Sequence, residues 1–554
     1  MSVSEAVKVE KPREAGAQVV DAVVIGAGVA GIYQLYRLLK DGLTVQAFES
    51  GDGVGGVWYW NRYPGARVDS HFPNYQFWFS KELWDETKWE EHFPAQPEIE
   101  RYFNRVVDKF DLRRHIAFGA RVTSATFDDE SGTWMVRTDK GHEVRARFIV
   151  FNTGGLSEPK APEFKGHETF GGQSYHTARW PKDAVDLTGK RVGVFGTAAT
   201  GIQVIQTIAP IVSRLTVFQR TPNFAIALKN PKVTEQELEN MRQSFDELQS
   251  KMKTAAGSFS WPEIGFDTVA PPLFKDVPAD KLDEYLDSIW NQGNLRFWHG
   301  HFSDATRNPE AAEYIAEFVR KKIRSRVNDP KVAEKLAPTS YPFGVRRVPL
   351  ENGFYEAFNR ENVELVDLLA EPVVSIDKTG VNTSARHYDL DVIIYATGFD
   401  AGVGAINQVD IRGVGGRSLK EEWDRTLRTT VGMMKHGYPN LFMTMAPFAP
   451  ASAFCNIPVC VDQQVDWIAD TIGFARAKGL RWIQPSEATE AAWMAHHEEV
   501  SEPTLVGRTA NSWYRRVAPD GTKRELIAYM GGLQTYRQWC NGWTESGYEG
   551  FDKS

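Results

Sequence analysis

The sequence predicts an α/β fold in which one strand–turn–helix–strand pattern occurs twice. Residues 19–25 form an apolar stretch that leads into a glycine-rich turn, and residues 190–195 lead into a second turn of this kind. Each turn is followed by apolar residues at helical spacing and then by another apolar strand. Because such βαβ units build Rossmann-like dinucleotide-binding domains, we expect two of them. The charged, helical pattern of residues 226–335 predicts a helical insertion in the second domain.

Length, composition and charge limit the class of protein. A chain of 554 residues is expected to form two or three domains, and 42% hydrophobic with 25% charged residues is ordinary for a globular protein. The formal net charge of −8 argues against nucleic acid as a partner, because phosphate binding favours a basic surface. The 17 tryptophans and 32 phenylalanines favour an enzyme with an aromatic-lined interior.

We expect neither a metal site nor a membrane segment. Cys455 and Cys460 have no histidine nearby, and the two histidines in residues 297–301 lack a third ligand. Three cysteines, counting Cys540, are too few for a disulfide framework, so we expect free thiols in a reducing compartment. The N-terminal segment has no apolar core, and no apolar run is long enough to span a bilayer. These features predict a cytoplasmic protein without a membrane partner.

The first unit carries the features of a dinucleotide site. Its turn has the spacing G-x-G-x-x-G, formed by Gly26, Gly28 and Gly31. These glycines allow the backbone to approach a pyrophosphate that lies at the helix N-terminus. Glu49 closes the second strand, at residues 44–48, and can accept hydrogen bonds from ribose hydroxyls. Because both strands and the acid are present, we predict that a dinucleotide binds here.

The second unit differs from the first in two respects. Its turn begins with Gly196 and Thr197 and ends with Gly201. Ala198 replaces the middle glycine, and the second strand ends in Arg220 and Thr221 rather than in an acid. An acid at this position suits the free 2′-hydroxyl of NAD, whereas an arginine accommodates the 2′-phosphate of NADP. The second site is therefore predicted to bind NADPH rather than NADH.

The segment between the two units, residues 170–181, reads F-x-G-x-x-x-H-x-x-x-W-P. Its fixed positions are Phe170, Gly172, His176, Trp180 and Pro181. This pattern resembles the fingerprint of the Baeyer–Villiger monooxygenases, class B flavoproteins that insert one oxygen atom of O2 beside a ketone carbonyl. We expect the segment to be a linker that couples the two halves of the molecule, in which His176 forms hydrogen bonds rather than acting as an acid or base.

Four further segments resemble the same family. Residues 55–69 contain G-G-x-W and then N-R-Y-P-G-x-x-x-D, which is similar to the loop that covers the flavin. Residues 346–349 are similar to K-R-x-P, with Arg346 in the usual lysine position. Residues 396–400 read A-T-G-F-D, a motif of flavoproteins with two dinucleotides, and residues 510–514 are similar to the mobile loop over NADP. The resemblance extends over nearly the whole chain.

The resemblance implies which cofactors bind and where. FAD would occupy the first site and NADPH the second, since the cofactors carry the chemistry and the protein positions them. Trp58, Asp69 and Tyr75 would lie along the flavin. Arg346 would contact NADPH, and Trp513 would belong to the loop that closes over it.

The resemblance also implies a reaction and its central residues. Ketones would be converted with O2 and NADPH to esters or lactones through a C4a-peroxyflavin. This anionic intermediate needs a positive charge that does not titrate, and Arg347 would supply it. Asp69 would hold Arg347, because a carboxylate orients a guanidinium strongly.

The order of these segments predicts discontinuous domains after a flexible tail at residues 1–18. The FAD-binding domain would comprise residues 19–157 and 391–554, the NADPH-binding domain residues 158–225 and 336–390, and the helical insertion residues 226–335.

Three alternative functions are open. An N- or S-oxygenating flavin monooxygenase would share the fold and the cofactors, although Arg347, Asp69 and the Trp-Pro ending of the fingerprint favour a ketone. An NADPH-dependent electron-transfer reductase would not transfer oxygen to a substrate. A disulfide reductase is disfavoured, because the sequence contains no C-x-x-C pair. A flavin-binding sensor would not need two dinucleotide sites. We expect a monomer or a weak oligomer.

Overall fold

The computed structural model describes residues 17–254, 271–450, 455–509, 512, 514–517, 521 and 524–554. Two large sheets organise this part of the chain, and each contains one of the glycine turns. Helices cover the parallel strands, and strands buried on both faces are continuously apolar, as the sequence pattern indicated. The predicted α/β class with two Rossmann-like units is confirmed.

The first sheet begins with the first βαβ unit. Its elements up to residue 151 are β1 (Gln18–Ile25), α1 (Val29–Lys40), β2 (Val45–Phe48), α2 (Val57–Trp60), α3 (Lys81–Glu86), α4 (Gln96–Lys109), β3 (Ile116–Ala117), β4 (Val122–Asp128), β5 (Thr133–Thr138) and β6 (Glu143–Phe151). β1 pairs in parallel with β2 and with β6. β4, β5 and β6 form the antiparallel meander that residues 120–151 predicted. β1 begins at Gln18, one residue inside the predicted tail, whose residues 1–16 lie outside the described residues.

The second sheet begins at the fingerprint. Before the helical insertion this unit contains β7 (Gln173–His176), β8 (Arg191–Phe195), α5 (Ala199–Ile208), β9 (Arg214–Gln219) and β10 (Ile226–Ala227), of which β10 lies outside the sheet. After the helical insertion follow β11 (Leu350–Glu351), α12 (Phe354–Ala357), β12 (Val363–Asp367), β13 (Val373–Ile376), β14 (Gly380–Thr383), β15 (His387–Asp389) and β16 (Val392–Tyr395). The five-stranded order is β12-β9-β8-β16-β7, and all neighbours are parallel. β16 completes this sheet, so the chain leaves it after Tyr395, later than the predicted boundary at 391.

The insertion is helical, as predicted, over its described residues. It contains α6 (Glu235–Gln243), α7 (Phe245–Thr254), α8 (Leu282–Trp290), α9 (Arg296–His299), α10 (Pro309–Arg326) and α11 (Pro330–Leu336). α6 and α7 pack into the core of the first unit, where the rings of Phe245 and Trp78 lie 5.6 Å apart. α8 to α11 pack into the core of the second unit. The insertion therefore contacts both units, whereas the sequence assigned it to one.

The C-terminal part returns to the first sheet. Its elements are β17 (Asp410–Arg412), α13 (Leu419–Arg425), β18 (Leu441–Met443), α14 (Ile457–Ala477), β19 (Ile483–Pro485), α15 (Glu487–Ser501), α16 (Leu505–Arg508), β20 (Arg515–Val517), β21 (Arg524–Leu526), α17 (Leu533–Glu545) and β22 (Phe551–Lys553). β17 pairs with β4, and β18 pairs with β6, which completes eight strands. Among the described helices, none is long and apolar enough to cross a membrane.

The cysteines differ from the prediction. Cys455 and Cys460 are paired as a disulfide with Cα atoms 6.2 Å apart, so the prediction of free thiols is wrong for this pair. Cys455 directly precedes the N-cap of α14 and Cys460 lies in its first turn, and the distance between their Cα atoms is within the range that a disulfide spans. Cys540 is free and buried, and burial raises the pKa of its thiol to about 12.

Candidate active site

In the first glycine turn, backbone segments approach each other closely. Gly26 has φ +100°, and a Cβ there would lie 2.5 Å from the Asn152 carbonyl oxygen. A Cβ on Gly31 would overlap the Gly26 carbonyl oxygen. Gly28 is the N-cap of α1 and offers no side-chain cap, so the first N–H groups of the helix point into the turn. A phosphate fits this arrangement, because it accepts those hydrogen bonds at the positive end of the helix.

Two polar side chains complete the first site. Glu49 is buried at the end of β2, where its carboxylate accepts hydrogen bonds from Ala27 N at 2.8 Å and Gly51 N at 2.7 Å. Asn152 Nδ2 is buried without a hydrogen-bond partner within the described residues. A buried amide rarely lacks a partner unless a ligand or water supplies one. The residues at this turn therefore fit a bound dinucleotide such as FAD.

Two aromatic residues that were predicted to lie along the flavin, Trp58 and Tyr75, contact each other. Trp58 Nε1 donates a hydrogen bond of 2.8 Å to the Tyr75 hydroxyl, and the two rings are 5.5 Å apart at 88°. Burial raises the pKa of Tyr75 well above its usual range, so its hydroxyl stays protonated. The sequence placed both residues along the flavin, and the structure brings them together near Asp69, whose charge also raises the Tyr75 pKa.

Asp69 and Arg347 form an ion pair across the two units. Arg347 Nε donates a hydrogen bond of 3.1 Å to Asp69 Oδ2, and its terminal nitrogen donates a second one to Asp69 Oδ1. Their side chains are 14% and 22% exposed, respectively. Burial lowers the pKa of Arg347, but the attraction of Asp69 outweighs it and the net shift is upward. The guanidinium is therefore a permanent, oriented positive charge.

The surroundings of Arg347 include residues that the sequence did not single out. Its guanidinium lies 5.6 Å from the centre of the Trp298 ring. His299 is adjacent, and burial, followed by repulsion from Arg347, lowers its pKa to about 3. The charges of Arg347 and Asp69 both act on the pKa of buried Tyr514, which burial raises well above its usual range. The aromatic run at 297–301 was the available signal, but only packing shows that it covers Arg347.

The second glycine turn repeats the first. Gly196 has φ +104°, and a Cβ on Gly201 would overlap the Gly196 carbonyl oxygen. Ala198 occupies the N-cap of α5 in an extended conformation. Thr197 Oγ1 lies 3.1 Å from Gln219 Oε1 and 3.2 Å from the Thr221 carbonyl oxygen, which ties the turn to the end of β9. The backbone geometry here accommodates alanine in place of the middle glycine and fits a second dinucleotide.

Two arginines approach the end of β9. Arg220 is exposed, and its side chain has no hydrogen bond or ion pair with the described residues. Arg346 lies over the Tyr341 ring at 4.3 Å, and the Tyr341 hydroxyl donates to the Pro222 carbonyl oxygen at 2.9 Å. Arg346 is therefore held beside the turn that carries Arg220 and Thr221. This cluster of positive charge suits a phosphate on the adenosine ribose.

The fingerprint connects the two units. His176 Nδ1 accepts from Ala178 N at 3.1 Å, and its Nε2 lies 3.2 Å from Thr397 Oγ1, in the A-T-G-F-D motif. Burial lowers the pKa of His176, which favours the neutral hydrogen-bonding ring over a charged one. A Cβ on Gly172 would lie 2.7 Å from the Phe170 ring, which explains the glycine.

The end of the fingerprint packs firmly and reaches the flavin loop. Trp180 is buried against Tyr175 at 5.1 Å, and Pro181 follows it. The Arg179 guanidinium lies 4.7 Å from the centre of the Trp60 ring, in the loop of the first unit. Trp513 lies outside the described residues, so its predicted role over NADP is untested. Its neighbour Ser512 donates a hydrogen bond of 2.9 Å to the Val345 carbonyl oxygen, beside Arg346 and Arg347.

Two dinucleotide-binding units joined by an arginine–carboxylate pair fit a flavoprotein that uses a nicotinamide cofactor, and comparisons with known proteins specify the class. The flavin-binding monooxygenase-like family model matches residues 20–229. The acetone monooxygenase (methyl acetate-forming) of Gordonia sp. (strain TY-5) is 42% identical over 96% of this chain and 98% of its own length.

Solved structures agree with this result. Cyclohexanone monooxygenase from Rhodococcus sp. Phi1, bound to NADP+, has a TM-score of 0.93 and 38% identity over 97% of this chain and 99% of that chain. OTEMO in complex with FAD and NADP has a TM-score of 0.92 and 38% identity over 97% of this chain and 100% of that chain. The chain belongs to the type I Baeyer–Villiger monooxygenases. It is an NADPH-dependent flavoenzyme that acts on ketones, and the predicted family, activity and cofactors are confirmed.

Proposed function

We propose that the Asp69–Arg347 pair is the centre at which this enzyme adds oxygen beside a ketone carbonyl. The pairing itself supports this most directly, because a carboxylate of the first unit orients an arginine of the second through two hydrogen bonds. The pair is mostly withdrawn from solvent and lies against Trp298. A preorganised charge in such a place is most effective where negative charge develops.

The residues around the pair bind, orient and exclude water. FAD reduced by NADPH supplies the activation of O2 and the transfer of one oxygen atom. Arg347 contributes a positive charge that does not titrate, and Asp69 keeps its fork in one orientation. Trp298 and Tyr514 restrict access of water, which strengthens the electrostatic interaction. Removing Asp69 would take the carboxylate away from a partly buried cation, which is costly.

The cofactor contacts are part of the same proposal. FAD is assigned to Gly26, Gly28, Gly31, Glu49, Trp58, Asp69 and Tyr75, and NADPH to Gly196, Thr197, Gly201, Arg220, Thr221, Arg346 and the loop of Trp513. The first domain would comprise residues 19–157 and the chain after Tyr395, since β16 pairs within the second sheet. A cytoplasmic location and a monomeric or weakly associating state are further proposals, which cell fractionation and sedimentation velocity test.

The substrate is proposed at the level of ketones. One relative is named for acetone and one solved structure for cyclohexanone, at 42% and 38% identity. We propose that small linear and cyclic ketones are both accepted. Product analysis over linear, cyclic and aryl ketones, with a thioether and a tertiary amine as competitors, tests this. Esters or lactones are the expected products, and exclusive sulfoxide or N-oxide formation would contradict the proposal.

Arg347→Ala is the direct test of the centre. We expect flavin reduction by NADPH to continue at a measurable rate while ester formation is lost, by about a hundredfold or more for a removed charge-stabilising group. Arg347→Lys is the matched control, because it retains the charge but loses the two-pronged contact to Asp69. Wild-type ester turnover in Arg347→Ala would rule out the assignment.

A further inference from the structure

The loop that carries Asp69 rests on the first turns of helix α5 in the second unit. Gln203 lies on that face of α5, five residues after the N-cap Ala198, and is 7% exposed. It follows Gly201, the last glycine of the NADPH turn, by two residues. The side chain is therefore close in sequence to the proposed pyrophosphate site and close in space to the flavin loop.

The Gln203 amide contacts the loop through both of its polar atoms. Its Oε1 accepts a hydrogen bond of 2.9 Å from the Tyr63 hydroxyl and one of 3.4 Å from Arg67 N. Its Nε2 donates a hydrogen bond of 2.9 Å to the Arg67 carbonyl oxygen. Because Arg67 presents one donor and one acceptor, the orientation of the amide is determined by its partners.

The same loop approaches the helix backbone closely. Gly65 has φ +82°, and a Cβ there would lie 2.7 Å from the Gln203 carbonyl oxygen. Burial raises the pKa of Tyr63 to about 12, so its hydroxyl remains a hydrogen-bond donor. Two residues after Arg67, Asp69 turns to Arg347. The segment from Tyr63 to Asp69 thus contacts the second unit at both of its ends.

We propose that Gln203 is a positioning residue that couples the NADPH turn to the Asp69–Arg347 pair. The proposal rests on the proposed function of that pair. Gln203 and the phosphate-binding turn belong to one rigid helical segment, so dinucleotide bound at the α5 N-terminus fixes the position of the flavin loop. Without the Gln203 contacts, the loop and Asp69 are free to shift relative to Arg347.

The test measures coupling between NADPH use and ester formation. In Gln203→Ala we expect the Kd of NADP+ and the rate of flavin reduction to remain near wild type, while ester formed per NADPH falls about three- to tenfold, the factor for lost hydrogen bonds. Hydrogen peroxide should account for the missing oxygen. Gln203→Glu replaces the donor that faces the Arg67 carbonyl oxygen with an acceptor. It should therefore uncouple ester formation from NADPH use at least as strongly as Gln203→Ala does.

Two further variants make the result specific. Gln206→Ala is the control on the same helix, since Gln206 Oε1 accepts from Asn352 N at 2.9 Å instead of contacting the loop, and it should retain wild-type coupling. Tyr63→Phe removes only one hydrogen bond and should uncouple in the same direction, to a smaller extent.

The possible outcomes separate the two proposals. Wild-type coupling in both Gln203→Ala and Tyr63→Phe would overturn the positioning role, as would equal uncoupling in Gln206→Ala. If Gln203→Ala does not fold, Tyr63→Phe decides. Arg347→Ala is assayed alongside, and retained ester formation in that variant would refute the proposed centre. Loss of ester formation in Arg347→Ala, together with wild-type coupling in both Gln203→Ala and Tyr63→Phe, would refute only the present inference.

Discussion

At the scale of single residues, the site depends on charges that do not titrate. Arg347 is paired with Asp69, whereas Arg220 is exposed and has no ion-pair partner among the described residues. Such a cation at the end of β9 is available for a ligand rather than for the fold. Arg346 differs, because it is held over Tyr341 beside the same turn.

Arg220→Ala tests the choice of nicotinamide cofactor. We expect the Kd of NADPH to rise about ten- to a hundredfold, as for a lost charge-assisted contact, while the Kd of NADH stays nearly constant. Arg220→Lys keeps the charge and should lose less. Binding is measured by titration of each cofactor. An equal loss for NADPH and NADH would show that Arg220 does not contact the 2′-phosphate.

At the scale of elements, the flavin loop and helix α5 form one contact between the two units. The loop supplies Tyr63, Gly65 and Arg67, and α5 supplies Gln203 and Thr207. Local sequence patterns indicate each element separately, a glycine loop and a helix after a glycine turn. Their contact depends on how the two sheets are placed, which neither pattern encodes.

Gly65→Ala tests this contact. The added methyl group would overlap the Thr207 hydroxyl oxygen, so the loop must move from α5. We expect ester formed per NADPH to fall. Gly42→Ala is the matched control, because Gly42 also has a left-handed φ, of +77°, but a Cβ there meets nothing within 4 Å. Both variants incur about 1 kcal/mol or more of backbone strain. A comparable loss of coupling in Gly42→Ala would therefore show that strain alone causes the effect.

At the scale of the molecule, several buried histidines link folding to pH. Burial lowers the pKa of His301 and His497 to about 4 and that of His299 to about 3. These groups are neutral when folded and bind a proton readily when unfolded. Their contribution to the free energy of unfolding is therefore fully present above the usual histidine pKa of about 6.5, and it decreases as the pH falls toward 4.

His497→Gln isolates one of these contributions. His497 Nε2 hydrogen-bonds to the Leu526 carbonyl oxygen at 2.9 Å, and the glutamine amide can replace that donor without titrating. Urea unfolding between pH 7.5 and 5 should show the wild type losing more stability than the variant, by up to about 1.4 kcal/mol per pH unit below 6.5. An identical pH dependence in both proteins would exclude a contribution from His497.

Much of the fold and part of the site follow from the sequence. Glycine turns, strand runs and the meander are local patterns, and they were located correctly because backbone conformation is set by neighbouring residues. The flavin loop, the segment similar to K-R-x-P and the fingerprint also indicated Asp69, Arg347 and His176, respectively. The placement of β16 and the double packing of the insertion were missed, since each depends on contacts between distant segments. The Cys455–Cys460 pairing was missed for a local reason, because it depends on the backbone conformation at the N-terminus of α14, which the spacing of the two cysteines does not specify.

The sequence by itself determined two dinucleotide sites of different character. Each site requires a glycine in the turn, Gly26 or Gly196, and the residue at the following strand end is an acid in one site and an arginine in the other. These are local chemical requirements, so they can be read from the sequence. The tertiary structure decided which side chains complete the centre. Asp69 meets Arg347 across 278 residues, Trp298 of the insertion covers the pair, and Gln203 holds the loop that carries Asp69. Such contacts arise only when separate elements pack together, because no local pattern specifies the distance between two surfaces.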